Sequence, residues 1–234
     1  MLDDIRAAFT FLTIIPLGGT SAGRLGRAFA WFPLVGICIG GLLVAVARLS
    51  PFDRELTAFL ILLAWALVTG GLHLDGFGDC CDGLLAVVAP HERLRIMKDP
   101  RVGAFAAAGL MLLLLGKWLA IRAAPIEMLA LAPALGRWAM VVAAWRFPSI
   151  GDGMAAHVQA GLSFRQFIIA SIWVMLLFTQ MEIFALALLG GCFTLVFAAW
   201  AARRLGGGIN GDVCGAVCEL TELLCLLAIG LFFG

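Results

Sequence analysis

The sequence predicts an all-α, polytopic integral membrane protein of about seven transmembrane helices, preceded by an amphipathic helix at the membrane interface. Three observations predict it. Of the 234 residues, 63% are hydrophobic and 13% are charged, against roughly a quarter charged in soluble domains. The apolar residues fall in blocks of about 20, the length that crosses roughly 30 Å of hydrocarbon as a helix. These blocks lack the alternation of polar and apolar residues that a bilayer β-barrel requires.

The chain opens with "MLDDIRAAFTFLTIIPLGG", which carries early acidic residues and neither a positive n-region nor a small-residue cleavage site. It does not read as a secretory signal. Leu2, Ile5, Phe9 and Leu12 recur at helical spacing, which predicts an interfacial amphipathic helix ended by Pro16. Spans are expected at about 28–47, 56–74, 103–121, 126–145, 167–180, 183–202 and 212–233. Gly36, Gly40 and Gly41 form a close-packing face in the first of these. The fifth is short, and Gln180 and Glu182 mark a tight turn into the sixth. The longest loop, "GDGMAAH" at 151–157, carries His157, read as solvated. With short loops, no internal repeat and no Pro/Ser-rich linker, residues 1–234 form one domain. Seven cysteines without C-x-x-C spacing read as buried or reduced thiols, not as a zinc site or disulfide framework.

The positive-inside rule orients the spans. With the N-terminus cytoplasmic, the inner segments hold Arg6, Arg24, Arg27, Arg93, Arg95, Lys98, Arg101, Arg146, Arg165, Arg203 and Arg204, and the outer ones hold Arg48, Arg54 and Arg122. The same orientation puts the end of the second span and the start of the seventh on the cytoplasmic side.

Those two ends carry the acidic residues. "HLDGFGDCCDG", residues 73–83, holds Asp75, Asp79 and Asp82 and no Lys or Arg. At spacings of four and three, the three carboxylates share one helical face, where like charges repel. Burying them near lipid costs several kcal/mol each, in rough terms, unless a cation neutralises them. For a lone aspartate, a helix cap or a solvated loop position is the simpler account; three on one face beside a second acidic cluster favour a bound cation. Oxygen-only ligands without His or Cys at metal spacing suit Mg²⁺ or Mn²⁺. Mg²⁺ usually joins one or two carboxylates to substrate phosphates, which points to phosphoryl transfer from a diphosphate.

"HERLRIMKDPRVGAFA", residues 91–106, follows. Arg95, Lys98 and Arg101 are spaced for one basic helical face, with Asp99-Pro100 turning the chain out of that helix. Lys98 and Arg101 read as phosphate-binding groups, while for Arg93 and Arg95 substrate contact and a positive-inside flank stay equally open. The last span opens with "NGDVCGAVCELTE", bringing Asp212, Glu219 and Glu222. Intramembrane acids are functional candidates, as ligands of a second cation, partners of its waters or the general base. Lys117 and Arg137 lie deeper, where three roles fit: snorkelling, pairing with a carboxylate, or meeting an anionic substrate group.

In chain order, "FLTIIPLG", "FPLVGICIGGLL", "LHLDGFGDCCDGLLA", "RLRIMKDPRVGAF" and "GDVCGAVCELTE" resemble the adenosylcobinamide-GDP ribazoletransferase family, also called cobalamin 5′-phosphate synthase. The resemblance covers most of the chain. It implies a late step of cobalamin (vitamin B12) biosynthesis in a prokaryotic inner membrane, with the active site on the cytoplasmic side. Adenosylcobinamide-GDP and α-ribazole, or its 5′-phosphate, would form adenosylcobalamin or its phosphate and release GMP, with Mg²⁺ as cofactor. By that likeness Asp75, Asp79 and Asp82 occupy the family's acidic motif and Lys98, Asp99 and Arg101 the motif after it; together with the reading of the residues, the expected metal ligands are Asp75, Asp79 and Asp82, the expected substrate-binding groups Arg95, Lys98 and Arg101, and the candidate catalytic groups Asp82, Asp99, Glu219 and Glu222.

"DCCDGLLA", residues 79–86, also matches the opening D-x-x-D-G-x-x-A of CDP-alcohol phosphatidyltransferases, which likewise displace a nucleotide monophosphate with a hydroxyl. Val87 stands where those enzymes carry Arg, and their G-x-x-x-D-x-x-x-D continuation is missing. A lipid synthase of that type is therefore the alternative function. A transporter is less consistent with acids gathered near one face and with the lack of a repeat. A net charge of +1 without a basic tract disfavours nucleic-acid binding. The many small residues permit contacts between copies of the chain, as a homo-oligomer, as readily as within one.

Overall fold

The computed structural model describes residues 1–18, 22–150, 159, 161–177 and 181–233, including all side chains except those of 22–24, 181 and 182. The loop around His157 lies outside the described residues.

The first helix, α1 (Leu2–Leu12), turns Ala7, Ala8 and Leu12 inward and leaves Met1 and Leu2 exposed. It ends four residues before Pro16, capped by Thr13, whose hydroxyl donates to the Phe9 carbonyl at 2.6 Å. After α2 (Ala22–Ala28) and a 3₁₀ turn (Phe29–Trp31), α3 (Phe32–Leu49) packs Gly36 and Gly40 against the backbone of Pro133 and Ala130, while Gly41 faces open space. Two glycines of the expected packing face thus serve it.

Helix α4 (Arg54–Thr69) starts at Asp53, whose carboxylate accepts from the Leu56 N–H at 2.8 Å, and stops at Gly70 and Gly71. Both glycines are left-handed, at φ +60° and +69°, a conformation a Cβ disfavours. The chain turns by 91° there into α5 (Leu72–Leu85). The expected continuous span 56–74 is therefore broken. Its last residues belong to the helix that carries the aspartates.

Beyond α6 (Pro90–Ile96), α7 (Ala104–Ala123) and a 3₁₀ turn (Ile126–Ala130) lead to α8 (Leu131–Arg146), the centre of the bundle, with 13 of its 16 residues buried. Then come α9 (Phe164–Met175), α10 (Met181–Leu205) and α11 (Gly211–Phe233). Helix α5 lies between α11 and α7, and small residues let the backbones approach: Cβ atoms added at Gly76 and Gly215 would lie 3.0 and 3.2 Å from the backbones of Asp212 and His73.

The fold is all-helical, as expected. Among the described residues five helical stretches are long and apolar enough to cross a membrane, or six if α4 and α5 together form one broken span. The count of seven is not confirmed by length, because α9, in place of the expected span 167–180, has 12 residues and reaches about 18 Å at 1.5 Å per residue. All seven cysteines are free thiols.

Polar contacts sort the two ends of the bundle. Arg122 donates to Glu55 at 2.9 Å, Arg48 to Glu127 at 3.2 Å and Arg54 to the Ala124 carbonyl at 3.3 Å. This cluster sits at the end of α7, and the aspartates of α5 sit at its start. The 20 residues between put them about 30 Å apart.

Candidate active site

The buried face of α5 is built from His73, Gly76, Phe77, Gly78, Cys80, Gly83 and Leu84. Helical periodicity then directs Asp75, Asp79 and Asp82 the other way, into a cleft of about 350 Å³. The opposite wall is the segment Met97–Val102. Asp75, Asp79, Asp82, Lys98, Asp99 and Arg101, singled out from separate motifs, all line this cleft.

Their roles in it differ. Asp82 accepts from the Gly103 N–H at 2.7 Å and the Ala106 N–H at 3.0 Å, satisfying two free donors at the start of α7. Lys98 is exposed and, among the described residues, holds no ion pair. Asp99 is chelated by Arg101, whose Nε donates to Oδ1 at 2.9 Å and Nη2 to Oδ2 at 2.6 Å, with the Arg101 backbone N–H also on Oδ1. Those bonds hold the Asp99 carboxyl down at about 2. It is a weak proton acceptor in this arrangement.

The basic segment differs from the expected single helical face. Helix α6 ends at Ile96, so Lys98 and Arg101 stand on a turn while Arg95 stays on the helix. Arg95 does not line the cleft; it is exposed and 3.2 Å from Glu92. Arg93 is buried, its Nη1 donating to the carbonyls of Gly83 (3.1 Å), Leu84 (2.9 Å) and Ala86. It thereby satisfies the C-terminal carbonyls of α5. Arg204 adds a bond to Ala86 at 3.2 Å.

Asp212 approaches from α11. Asn210 caps that helix through Oδ1, accepting from the Val213 N–H at 3.1 Å, and donates through Nδ2 to Asp212 Oδ2 at 2.7 Å. The Asp212 backbone lies against Gly76, the residue after Asp75 and three before Asp79, so a fourth acidic residue comes to the junction of α5 and α11 without lining the cleft. "NGD" before an apolar run is a readable cap signal, but the contact with Gly76 needed the turn at Gly70-Gly71.

Glu219 and Glu222 lie elsewhere. Lys117 donates to Glu219 at 2.5 Å and to Glu222, and Arg137 donates to the other Glu222 oxygen. All four are buried, Arg137 and Glu222 completely. Lys117 also stands over the Trp65 ring, 4.5 Å from its centroid. Of the three roles open to Lys117 and Arg137, pairing with carboxylates is the one observed. Neither glutamate lines the acidic cleft.

The profile of the cobalamin-5-phosphate synthase family matches residues 4–230. The chain belongs to that family. It is 38% identical to the adenosylcobinamide-GDP ribazoletransferase of Chlorobaculum tepidum, over 95% of this chain and 92% of that one. The protein of the same name from Pseudomonas syringae pv. syringae is also 38% identical, over 96% and 97%, and that from Geotalea daltonii 36%, over 95% and 94%. No solved structure matches the chain.

The cleft can be tested for a metal by its donors. Among the described residues no three His, Cys, Asp or Glu side chains close around one point. Asp75, Asp79 and Asp82 instead line the cleft one helical turn after another. Mg²⁺ needs no protein cage, since one or two carboxylates, waters and substrate phosphates complete its shell. Oxygen-only donors facing Lys98 and Arg101 fit that mode.

Proposed function

We propose that the protein is an adenosylcobinamide-GDP ribazoletransferase, a phosphotransferase that joins adenosylcobinamide-GDP to α-ribazole or its 5′-phosphate and releases GMP. The observation that carries this reading is one cleft with Asp75, Asp79 and Asp82 on one wall and Lys98 and Arg101 on the other, in a chain of this family. A diphosphate needs positive charge around its oxygens and a site that tolerates a cation between carboxylates.

In this reading Asp75 and Asp79 hold Mg²⁺, with Asp82 beside them. Bound there, Mg²⁺ supplies positive charge to the diphosphate oxygens. Lys98 and Arg101 hold the outer oxygens of the diphosphate. The ribose hydroxyl of the acceptor attacks the phosphorus on the cobinamide side; an O–P bond forms, the P–O–P bridge breaks, and GMP leaves with the bridging oxygen. The hydroxyl proton passes to Asp212, which reaches the aspartate helix at Gly76 and accepts from Asn210. Asp99 serves as a positioning residue for Arg101, and Arg95 stays outside the site. Glu219 and Glu222 act on the bundle, through Lys117 and Arg137, and not on substrate.

The site faces the cytoplasm of a prokaryotic cell membrane in this proposal. Support comes from the eleven basic residues on that side against three on the other, and from the gathering of Arg48, Arg54 and Arg122 at the far end of the bundle from the aspartates.

The test is GMP release by the purified protein in lipid, given adenosylcobinamide-GDP, α-ribazole 5′-phosphate and Mg²⁺. Release that needs both acceptor and metal, and that Asp79→Asn abolishes, is the expected result. A folded wild type that releases no GMP sinks the proposal, and CDP-activated lipids are then the next substrates.

A further inference from the structure

Among the described residues no aromatic side chain lines the acidic cleft, so it offers phosphates their counter-charges but gives a flat base nothing to stack on. A second cavity does. It has a volume of about 180 Å³ and is walled by Phe11, Phe29, Phe32, Met140, Ala144 and Ser149. Phe29 and Phe32 have ring centroids 4.5 Å apart, and Phe11 stacks on Phe32 at 5.8 Å and 15°. Its polar lining is Ser149, Gln159 and Asn210: the Gln159 amide donates to the carbonyls of Ala144 and Phe147 and the Asn210 amide to Asp212, whereas the Ser149 hydroxyl is buried and has no hydrogen-bond partner among the described residues. A buried hydroxyl left unsatisfied is unfavourable, and a ligand acceptor would relieve it.

The two spaces share a wall. Asn210 lines the aromatic cavity, donates to Asp212 at 2.7 Å, and approaches to 4.0 Å from the sulfur of Met97, which lines the acidic cleft.

We infer that the phenylalanine-walled cavity seats the flat base of the acceptor nucleoside, with its ribose lying across Asn210 and Asp212 toward the acidic cleft. This rests on the transferase reading above. The chemistry of the walls selects the base. A benzimidazole on ribose keeps one free ring nitrogen and carries no exocyclic amine or carbonyl, so a single hydroxyl satisfies it. Guanine, the base of the other substrate, would leave several polar groups unpaired among phenylalanines, and such unpaired groups discriminate strongly. With the base seated there, the attacking hydroxyl approaches the diphosphate from the α11 side, next to the carboxylate that takes its proton.

The experiment uses the intact protein in lipid nanodiscs. Equilibrium binding of α-ribazole and of guanosine is measured without the second substrate, followed by steady-state GMP release, for wild type, Ala144→Leu and Ser149→Ala. Ala144→Leu fills the cavity and Ser149→Ala removes only the hydroxyl, so the second variant reports even if the first folds poorly. Wild type is expected to bind α-ribazole and not guanosine. Ala144→Leu should weaken that binding at least about tenfold, and Ser149→Ala about fivefold, the loss of one neutral hydrogen bond. KM for the acceptor should rise alike while KM for adenosylcobinamide-GDP holds. Unchanged acceptor binding and KM in both variants overturns the assignment, as does a parallel rise in both KM values. Competition by a long-chain fatty acid but not by free benzimidazole overturns it too, assigning the cavity to lipid. A wild type that binds α-ribazole, loses it in both variants and yet releases no GMP supports the cavity and sinks the transferase reading of the cleft.

Discussion

Asp82 and Gly103 are joined across 21 residues, the Asp82 carboxylate accepting from the Gly103 N–H at 2.7 Å and from Ala106 one turn on. A Cβ at Gly103 would lie 2.5 Å from an Asp82 oxygen, so the missing side chain is what lets the cap form. The bond ties the end of the aspartate helix to the start of α7. It thereby sets the distance between the two walls of the cleft.

Asp82 therefore has a structural share that Asp79 lacks. Asp82→Ala should lower stability by about 1 kcal/mol, the usual cost of an N-cap, and abolish GMP release as well. Asp79→Asn should abolish release with little change in melting temperature. Thermal unfolding in one fixed detergent, run beside the activity assay, separates the two; equal melting losses would remove the capping role.

The ion cluster behaves differently. Glu222→Ala leaves Arg137, in a fully buried site, without the one ion partner it has among the described residues, and removes one of the two that Lys117 has among them. Breaking one partner of a buried pair costs roughly 3–5 kcal/mol, whereas replacing both by apolar groups is often neutral. Glu222→Ala should therefore melt far lower than wild type, and Glu222→Leu with Arg137→Met should recover much of the loss. Retained stability in the single variant contradicts a structural cluster.

These pairings show what a sequence read alone conveys and what it omits. Helix positions followed from apolar block length, and the acid face of α5 followed from spacings of three and four, because both are local. The ends of the helices were less accessible. Nothing within 56–74 distinguishes a continuous span from one broken at Gly70-Gly71, since glycines also occur within straight membrane helices. Glu219 and Glu222 looked like site residues because an intramembrane acid is expensive unless it has a purpose. Their observed partners are Lys117 and Arg137, more than 80 residues away in sequence, and pairing over such a separation has no periodic signature. Arg93 was ambiguous for the same reason, its partners being carbonyls and not side chains.

Asp99 yields a prediction about pH. Its carboxyl is held at about 2, below its ordinary 3.8, chiefly by the Arg101 side-chain and backbone hydrogen bonds. A lowered folded value means the chelate is complete above about pH 4 and is lost as pH falls toward 2. The ionisation of Asp99 therefore does not shape a pH–rate profile between 5 and 9. Asp99→Asn should lower kcat/KM by freeing Arg101 while leaving the acid limb of that profile in place. A limb that moves in Asp99→Asn assigns proton transfer to Asp99 and overturns its positioning role.

The turn at Gly70-Gly71 is the last place where the fold decides the chemistry. Two consecutive residues at φ +60° and +69° rotate α5 by 91° from α4, and this lays its acid face beside Lys98 and Arg101. A Cβ at Gly70 would lie 2.9 Å from the side chain of Ile14, while one at Gly71 meets nothing within 4 Å. Gly71→Ala thus tests the backbone conformation alone, with a cost of roughly 1–2 kcal/mol for a left-handed L-residue. Gly70→Ala adds the clash with Ile14 and should be worse. If α5 shifts to relieve the strain, GMP release should fall more than stability does, because the positions of Asp75 and Asp79 relative to bound phosphates matter at the level of about 1 Å. The decisive comparison is Gly71→Ala against Gly71→Asn, since asparagine tolerates the left-handed region better than alanine. Activity should be higher in the asparagine variant. Equal activity in the two would show that the direction of α5 is held by its packing on α11 and α7 and not by the turn.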